Sequence, residues 1–272
     1  MTMTIIPTLL KSDLLRQRVI PIIKSRYFDE LELFLDIGHD LKAPLPFLTA
    51  ANSFSEIFIQ NAYAPIHPFI PWPQHWLDIG CHCGYFSLWL YLQQARQGTL
   101  DHCSAVLIDA DTRSASAIAR LRQLNHFQEA QCRFIGGAIA AESNPLFKQR
   151  QGMGSALGQL SDARYQDLYP VPRITEDALL SVIPQKLDLL KLDVEGAELM
   201  FLKHYPRVAQ RTRQLLLEWH SWAPDWTGLE GLDLLCGNLG FQRTAIIDEA
   251  RHHIVNNQPA SCGTLLYSAL AT

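Results

Sequence analysis

The sequence predicts an α/β fold: a doubly wound, mostly parallel seven-stranded sheet with one antiparallel edge addition, preceded by an N-terminal helical extension. Three observations carry this reading. Apolar runs of strand length alternate with helix-forming segments from Gln74 onward, the pattern of a parallel sheet covered on both faces. Four of those runs deliver an acid at or beside their ends, Asp78, Asp109, Asp193 and Glu218. The first run leads into Gly80 and Gly84, and then into a long apolar segment. Acids at neighbouring strand ends gather at the carboxyl edge of the sheet, where such sheets bind ligands.

Composition narrows the class. With 272 residues, the chain has room for one large α/β domain or two small ones. It reads as an extension over residues 1–70 and a main domain over residues 71–272. A net charge of -4 leaves no electrostatic footprint for nucleic acid. The six cysteines have no regular spacing and make no disulfide framework, so the expected compartment is the reducing cytosol. Ile5 to Leu10 is too short an apolar run for a signal peptide. No stretch reaches the ~18 apolar residues of a membrane span.

Each element has a local reason. Helical periodicity runs from about residue 8 to 62, with Leu9, Leu10, Leu14, Leu15 and Val19 on one face and a dense apolar block from Phe28 to Leu35. Ser53 and Glu56 fit a capping box for a helix from Phe54 to Asn61. Pro65, Pro68, Pro71 and Pro73 exclude regular structure before the first strand. This preface packs on the main domain or caps its cleft.

Strand one runs from Gln74 to Ile79 and its helix from Gly84 to about Ala95. Strand two is Ala105–Ile108, followed by a helix over Arg113–Leu124 that is rich in helix formers. Strand three is Cys132–Ile135, and residues 142–173 are irregular, with a glycine-rich loop at Gly152–Ser155 facing the cleft. Thr175 caps a short helix through Val182. Strand four is Leu187–Leu192, with a helix from Ala197; strand five is Gln214–Leu217. A helix over Leu229–Leu239 stops at Gly240. Phe241–Ile247 and Thr264–Tyr267 then pair antiparallel.

The first turn reads Asp78-Ile79-Gly80-Cys81-His82-Cys83-Gly84. It is not the Gly-x-Gly-x-x-Gly that admits a pyrophosphate, and Asp78 would repel one. An acid there suits a ligand bearing ammonium or sulfonium. Asp109, ending the next strand, can accept hydrogen bonds from ribose hydroxyls, and a charged acceptor strengthens them. S-adenosylmethionine, an adenosine with a cationic amino-acid tail, meets both requirements. The plainer alternative is that Gly80 and Gly84 only permit a tight turn.

The second distinctive stretch is Leu189-Leu190-Lys191-Leu192-Asp193-Val194-Glu195-Gly196-Ala197-Glu198. Three acids within six residues need positive company, from Lys191 or from a bound sulfonium. Glu198 reads as a solvated first-turn acid favoured by the helix dipole, and Asp193 as functional.

Together the two stretches resemble the FkbM-type family of S-adenosylmethionine-dependent methyltransferases. Leu77–Ser87 is similar to its first motif and Leu190–Glu198 to its most specific one. Ile174–Leu179 resembles the segment before its fourth strand. The likeness spans about residues 53–245. His82 stands where the family usually has asparagine, Asp109 is one methylene shorter than the usual glutamate, and Ala110 replaces proline. The resemblance implies a class I methyltransferase-like, Rossmann-like sheet. It also implies a cofactor site that includes Gly80, Gly84 and Asp109, with Asp193 near the transferred methyl. Such enzymes mostly methylate hydroxyls of natural products, sugars or lipids.

The expected cofactor-binding set is Asp78, Gly80, His82, Gly84, Asp109 and Asp193, and the expected catalytic set is Asp193, Glu195 and His220. Methyl transfer depends on alignment, which can supply about 7–11 kcal/mol. A hydroxyl acceptor also needs a base, for which Asp193, Glu195, Glu218 and His220 are candidates. His220 has the most suitable ordinary pKa, although it also reads as a surface histidine. Trp219, Trp222 and Trp226 wall an acceptor pocket or pack under a loop. No metal is expected, because Cys81-His82-Cys83 lacks further ligands at usable spacing and His252-His253 lies in a late loop. Two competitors stay open: a non-catalytic S-adenosylmethionine-binding module and a nicotinamide-dependent reductase. The expected partner is a hydroxyl-bearing small molecule.

Overall fold

The structure, a computed structural model, describes residues 33–47, 50–141, 146–148, 156–158, 168–255 and 258–270. The expected helix before residue 33 and the Gly152–Ser155 loop lie outside them.

The described chain begins with a hairpin of β1 (Phe34–Gly38) and β2 (Leu41–Pro44). Helical periodicity was expected there. The apolar block has no true helical period, and Gly38, His39 and Asp40 all take positive φ, the geometry of a tight hairpin turn. Asn125 tethers the hairpin by accepting the Lys42 N–H at 2.7 Å and donating to the Lys42 carbonyl at 2.8 Å. Helix α1 (Ala50–Phe54) runs into one π-turn over Ser55–Ile59. Ser53 is therefore inside the helix and caps nothing.

Strands and helices then alternate: β3 (His75–Ile79), α2 (Tyr85–Arg96), β4 (Ser104–Asp109), α3 (Thr112–Asn125) and β5 (Cys132–Gly136). The region expected to be irregular contains β6 (Leu146–Lys148), β7 (Ala156–Gly158) and β8 (Leu168–Pro170), a separate antiparallel sheet. The main domain resumes with α4 (Glu176–Leu180), β9 (Leu187–Leu192), α5 (Glu198–His204), α6 (Pro206–Gln210) and β10 (Thr212–His220). It ends with α7 (Leu229–Asn238), β11 (Phe241–Val255) and β12 (Gln258–Ala269). Thr175 caps α4 as expected, accepting the Ala178 N–H at 3.2 Å.

The main sheet has seven strands in the order β5-β4-β3-β9-β10-β12-β11. From β5 to β10 all neighbours are parallel. β12 runs against both β10 and β11, so the reversed strand sits one place in and β11 forms the edge. β11 and β12 are longer than expected, and the pairing continues from Arg251↔Cys262 to Val255↔Gln258. His252 and His253 thus lie in a strand. Strand order reverses between β3 and β9, which creates a crevice at their carboxyl ends.

Alternate residues of the central strands serve opposite faces. Trp76, Leu189 and Leu216 join the core with α2, α3 and the N-terminal segment. Leu77, Leu190 and Leu217 join the one built with α4 to α7. Helix α2 is buried over most of its length, because it lies between the sheet and residues 41–47 and 50–72. No helix among the described residues is long and apolar enough to cross a membrane.

Candidate active site

A cleft of about 210 Å³ opens at the carboxyl ends of β3, β4 and β9. Gly80, His82, Asp109, Asp193 and Glu195 line it, together with Ser53, Glu56, Ile57 and Tyr63 from the N-terminal segment and Arg251 from β11. The described part of that segment therefore forms a wall of the cleft.

The turn after β3 is held by contacts that only glycine permits. Gly80 has φ +79, and a Cβ there would lie 1.6 Å from the Asp193 carbonyl oxygen. Gly84 has φ +75 and faces Ile118 of α3, which a Cβ would approach to 2.5 Å. Gly84 thus seats α2 against α3 and is not itself a lining residue.

Asp78 does not face the cleft. It is 0% exposed, accepts a 2.7 Å hydrogen bond from Ser87 Oγ, and lies 3.8 Å from Lys191 Nζ. Ser87 in turn accepts from Trp76 Nε1 at 2.9 Å. Strand alternation explains the placement: Asp78 shares its face with Trp76, under α2. Burial pushes its carboxyl up, opposed by Lys191. Lys191 is also buried, with Nζ 3.0 Å from Asp193 Oδ2. Burial pulls its ammonium down, but Asp193 and Asp78 outweigh this and hold it raised. The reverse balance lowers Asp193: burial raises it, and Lys191 prevails.

Asp109 accepts the His82 N–H at 2.7 Å on one oxygen and the Asp111 N–H at 2.8 Å on the other. Burial raises its pKa to about 6 against those bonds. A carboxylate has further lone pairs, and those of Asp109 border the cleft. Asp111 caps α3 by accepting from Arg113 N–H at 2.9 Å. His82 bonds Ser53 Oγ through Nδ1 at 3.2 Å, and burial lowers its pKa to about 4. Burial raises the thiols of Cys81 and Cys83, which disfavours the thiolates that bind metals.

On the other side, Asp193, Glu195 and His220 come together, each offering a ligand atom within 4.8 Å of the others. The strand carrying His220 extends beyond its expected end at Leu217. Pairing with β12 continues through Trp219↔Gly263 and His220↔Cys262. His220 is consequently 2% exposed, not a surface residue. Its Nε2 lies 3.9 Å from Glu195 Oε2, and Glu195 forms the cleft wall in front of it.

Glu198, expected to be solvated, is 1% exposed. Its Oε1 accepts the Val194 N–H at 3.0 Å and the Gly196 N–H at 3.1 Å, and lies 2.8 Å from His220 Nδ1. Burial pulls the imidazole down. The Glu198 bond and the charges of Glu198, Asp193 and Glu195 outweigh it, raising His220 to about 9. Glu218 is raised to about 8 by burial and by Asp193, and Arg251 Nη2 donates to its Oε1 at 2.6 Å.

The tryptophans do not line the cleft. Trp219 stacks on Trp226 with centroids 5.2 Å apart, within the core. Trp222 packs against the His220 ring at 4.5 Å. Of the two readings of this cluster, packing is the one observed. Sequence reasoning missed Arg251 because it lies beyond the expected end of its strand. It missed the buried role of Glu198 because helical position alone favours solvent.

No protein-family model matches the chain, and no curated protein does. Among solved structures, a precorrin-6y C5,15-methyltransferase from Geobacter metallireducens is 9% identical, with a TM-score of 0.42 over 78% of this chain and 87% of that one. M. jannaschii TYW2 in complex with AdoMet is 10% identical, with a TM-score of 0.44 over 88% and 87%. The N-terminal domain of EvdMO1 with SAH bound is 10% identical, with a TM-score of 0.41 over 81% and 79%. Likenesses of this size carry no argument about activity.

Proposed function

We propose that the chain is an S-adenosylmethionine-dependent methyltransferase of FkbM type, acting on a hydroxyl of a small molecule, sugar or natural product. One observation supports this above the others. At the point where strand order reverses, the bare backbone of Gly80 lies between two cleft-lining carboxylates, Asp109 and Asp193. That arrangement suits an adenosine at one end and positive charge at the other.

When bound, S-adenosylmethionine supplies an electrophilic methyl carbon. Asp109 is the acceptor for its ribose hydroxyls, held in place by the His82 and Asp111 N–H groups. Gly80 lets the backbone approach the ligand, and His82 borders it as a neutral ring. Asp193, fixed by Lys191, faces the positive end. Asp78 supports the turn from below. On the acceptor side, Glu195 takes the hydroxyl proton; His220 Nε2, 3.9 Å behind it, can take that proton on only in the neutral ring, which predominates above about pH 9. General-base help of this kind contributes about 10²–10⁴ in rate.

Calorimetry with S-adenosylmethionine and with NAD tests the reading. The parent chain should bind the first saturably and the second not at all, and Asp109→Ala should weaken binding more than tenfold. Unchanged affinity in that variant removes the ribose assignment. Saturable NAD binding would favour a reductase instead. Binding without turnover on any hydroxyl acceptor would favour a non-catalytic module.

A further inference from the structure

We propose that Glu198 is a positioning residue for His220, holding its Nδ1–H inward so that Nε2 faces Glu195 and the cleft and, in the neutral ring, carries the lone pair. The proposal deepens the methyl-transfer reading, and rests on it only for the reaction served.

The argument starts from an acid in the wrong place. A buried carboxylate is costly unless it is hydrogen-bonded, and Glu198 is 1% exposed. Its Oε1 gathers three donors, the N–H groups of Val194 and Gly196 and the Nδ1 of His220. An ionised carboxylate only accepts, so Nδ1 must carry a proton. In the neutral ring the lone pair is then on Nε2.

Backbone geometry fixes the carboxylate. Glu195 has φ +53 and Gly196 φ +106, so the turn curls its N–H groups over Oε1. A Cβ on Gly196 would stand 3.2 Å from Trp222 Cδ1, and Trp222 lies against the imidazole. Two segments therefore hold the ring, α5 through Glu198 and the turn after β10 through Trp222. The left-handed conformation is strained for a non-glycine residue, and the residue that adopts it, Glu195, is the one that faces the acceptor.

Other charges also face the ring. Asp193 and Glu195 approach from the β9–α5 turn, with Lys191 behind Asp193. Glu218 lies two residues back on β10, bound to Arg251 of β11, and Cys262 stands opposite on β12. Among them only Glu198 makes a hydrogen bond to Nδ1.

Nitrogen spectra of the histidine-labelled chain test this without cofactor or acceptor, with His220→Gln identifying the signal. Above its titration, the neutral His220 ring should carry its proton on Nδ1; a proton on Nε2 overturns the proposal. In the parent the ring should titrate near about 9. In Glu198→Gln, which keeps the shape and removes the charge, the midpoint should fall toward ~6.5; an unmoved midpoint overturns the proposal. With a known acceptor, Glu198→Gln should lower kcat about 10²-fold with KM little changed, and Glu198→Asp should recover part of it. A change in KM alone counts against positioning. If Glu198→Gln fails to fold, the parent's tautomer still decides. Loss of S-adenosylmethionine binding would sink the methyl-transfer reading and leave the tautomer result standing.

Discussion

Gly80 and Asp193 meet backbone to backbone, so closely that a Cβ on Gly80 would lie 1.6 Å from the Asp193 carbonyl oxygen. The Asp193 N–H also donates to the Ile79 carbonyl at 3.1 Å. The two distinctive stretches of the sequence are thus one piece of structure, and the cleft depends on their contact.

Gly80→Ala should therefore be expensive. The clash is with backbone, which cannot swing aside, and overpacking of this kind costs about 1–3 kcal/mol beyond the left-handed penalty. Gly98→Ala is the control, since Gly98 has φ +71 and nothing within 4 Å. It should lose only about 1 kcal/mol. Urea unfolding measures both, and equal losses would refute the contact.

Lys191→Met should destabilise the chain by about 3–5 kcal/mol. The substitution leaves Asp78, 0% exposed, without its charge partner. Adding Asp78→Asn should restore part of the loss, because an amide carries no charge to bury. Thermal unfolding of the single and double variants checks it.

Cofactor affinity should weaken as pH falls through about 6, where Asp109 gains a proton and becomes a poorer acceptor for ribose. Calorimetry from pH 5 to 8 reads this. Asp109→Asn should bind weakly and lose that step.

Stability should carry a second pH dependence from His220. Its folded pKa, about 9, is above the ordinary ~6.5. The folded state therefore binds this proton more tightly. The resulting stabilisation is complete below ~6.5 and is lost as pH rises through about 9, for a total of about 3 kcal/mol. His220→Gln should flatten that part of the profile in denaturant titrations. If methyl transfer uses His220 as the proton acceptor, its rate should rise over the same interval.

Much of the sheet was legible because periodicity is local. β3, β4, β5 and β9 fall within a residue or two of their expected places, and Thr175 caps its helix. The hairpin at Phe34–Pro44 was not legible, since its pairing and its tether to Asn125 are contacts between distant residues. β10 was cut short because Glu218 looked like a strand-ending acid, whereas β12 carries the pairing on to His220.

Residue types and spacing by themselves determined that acids would collect at one edge of a parallel sheet, beside a glycine turn. Only the tertiary structure decided which acids face the cleft. Asp109 and Asp193 do, Asp78 is turned under α2, and Glu198 is drawn inward to His220. The reason is physical: a strand's period sets which face a side chain takes, but what covers that face depends on packing between elements far apart in the chain.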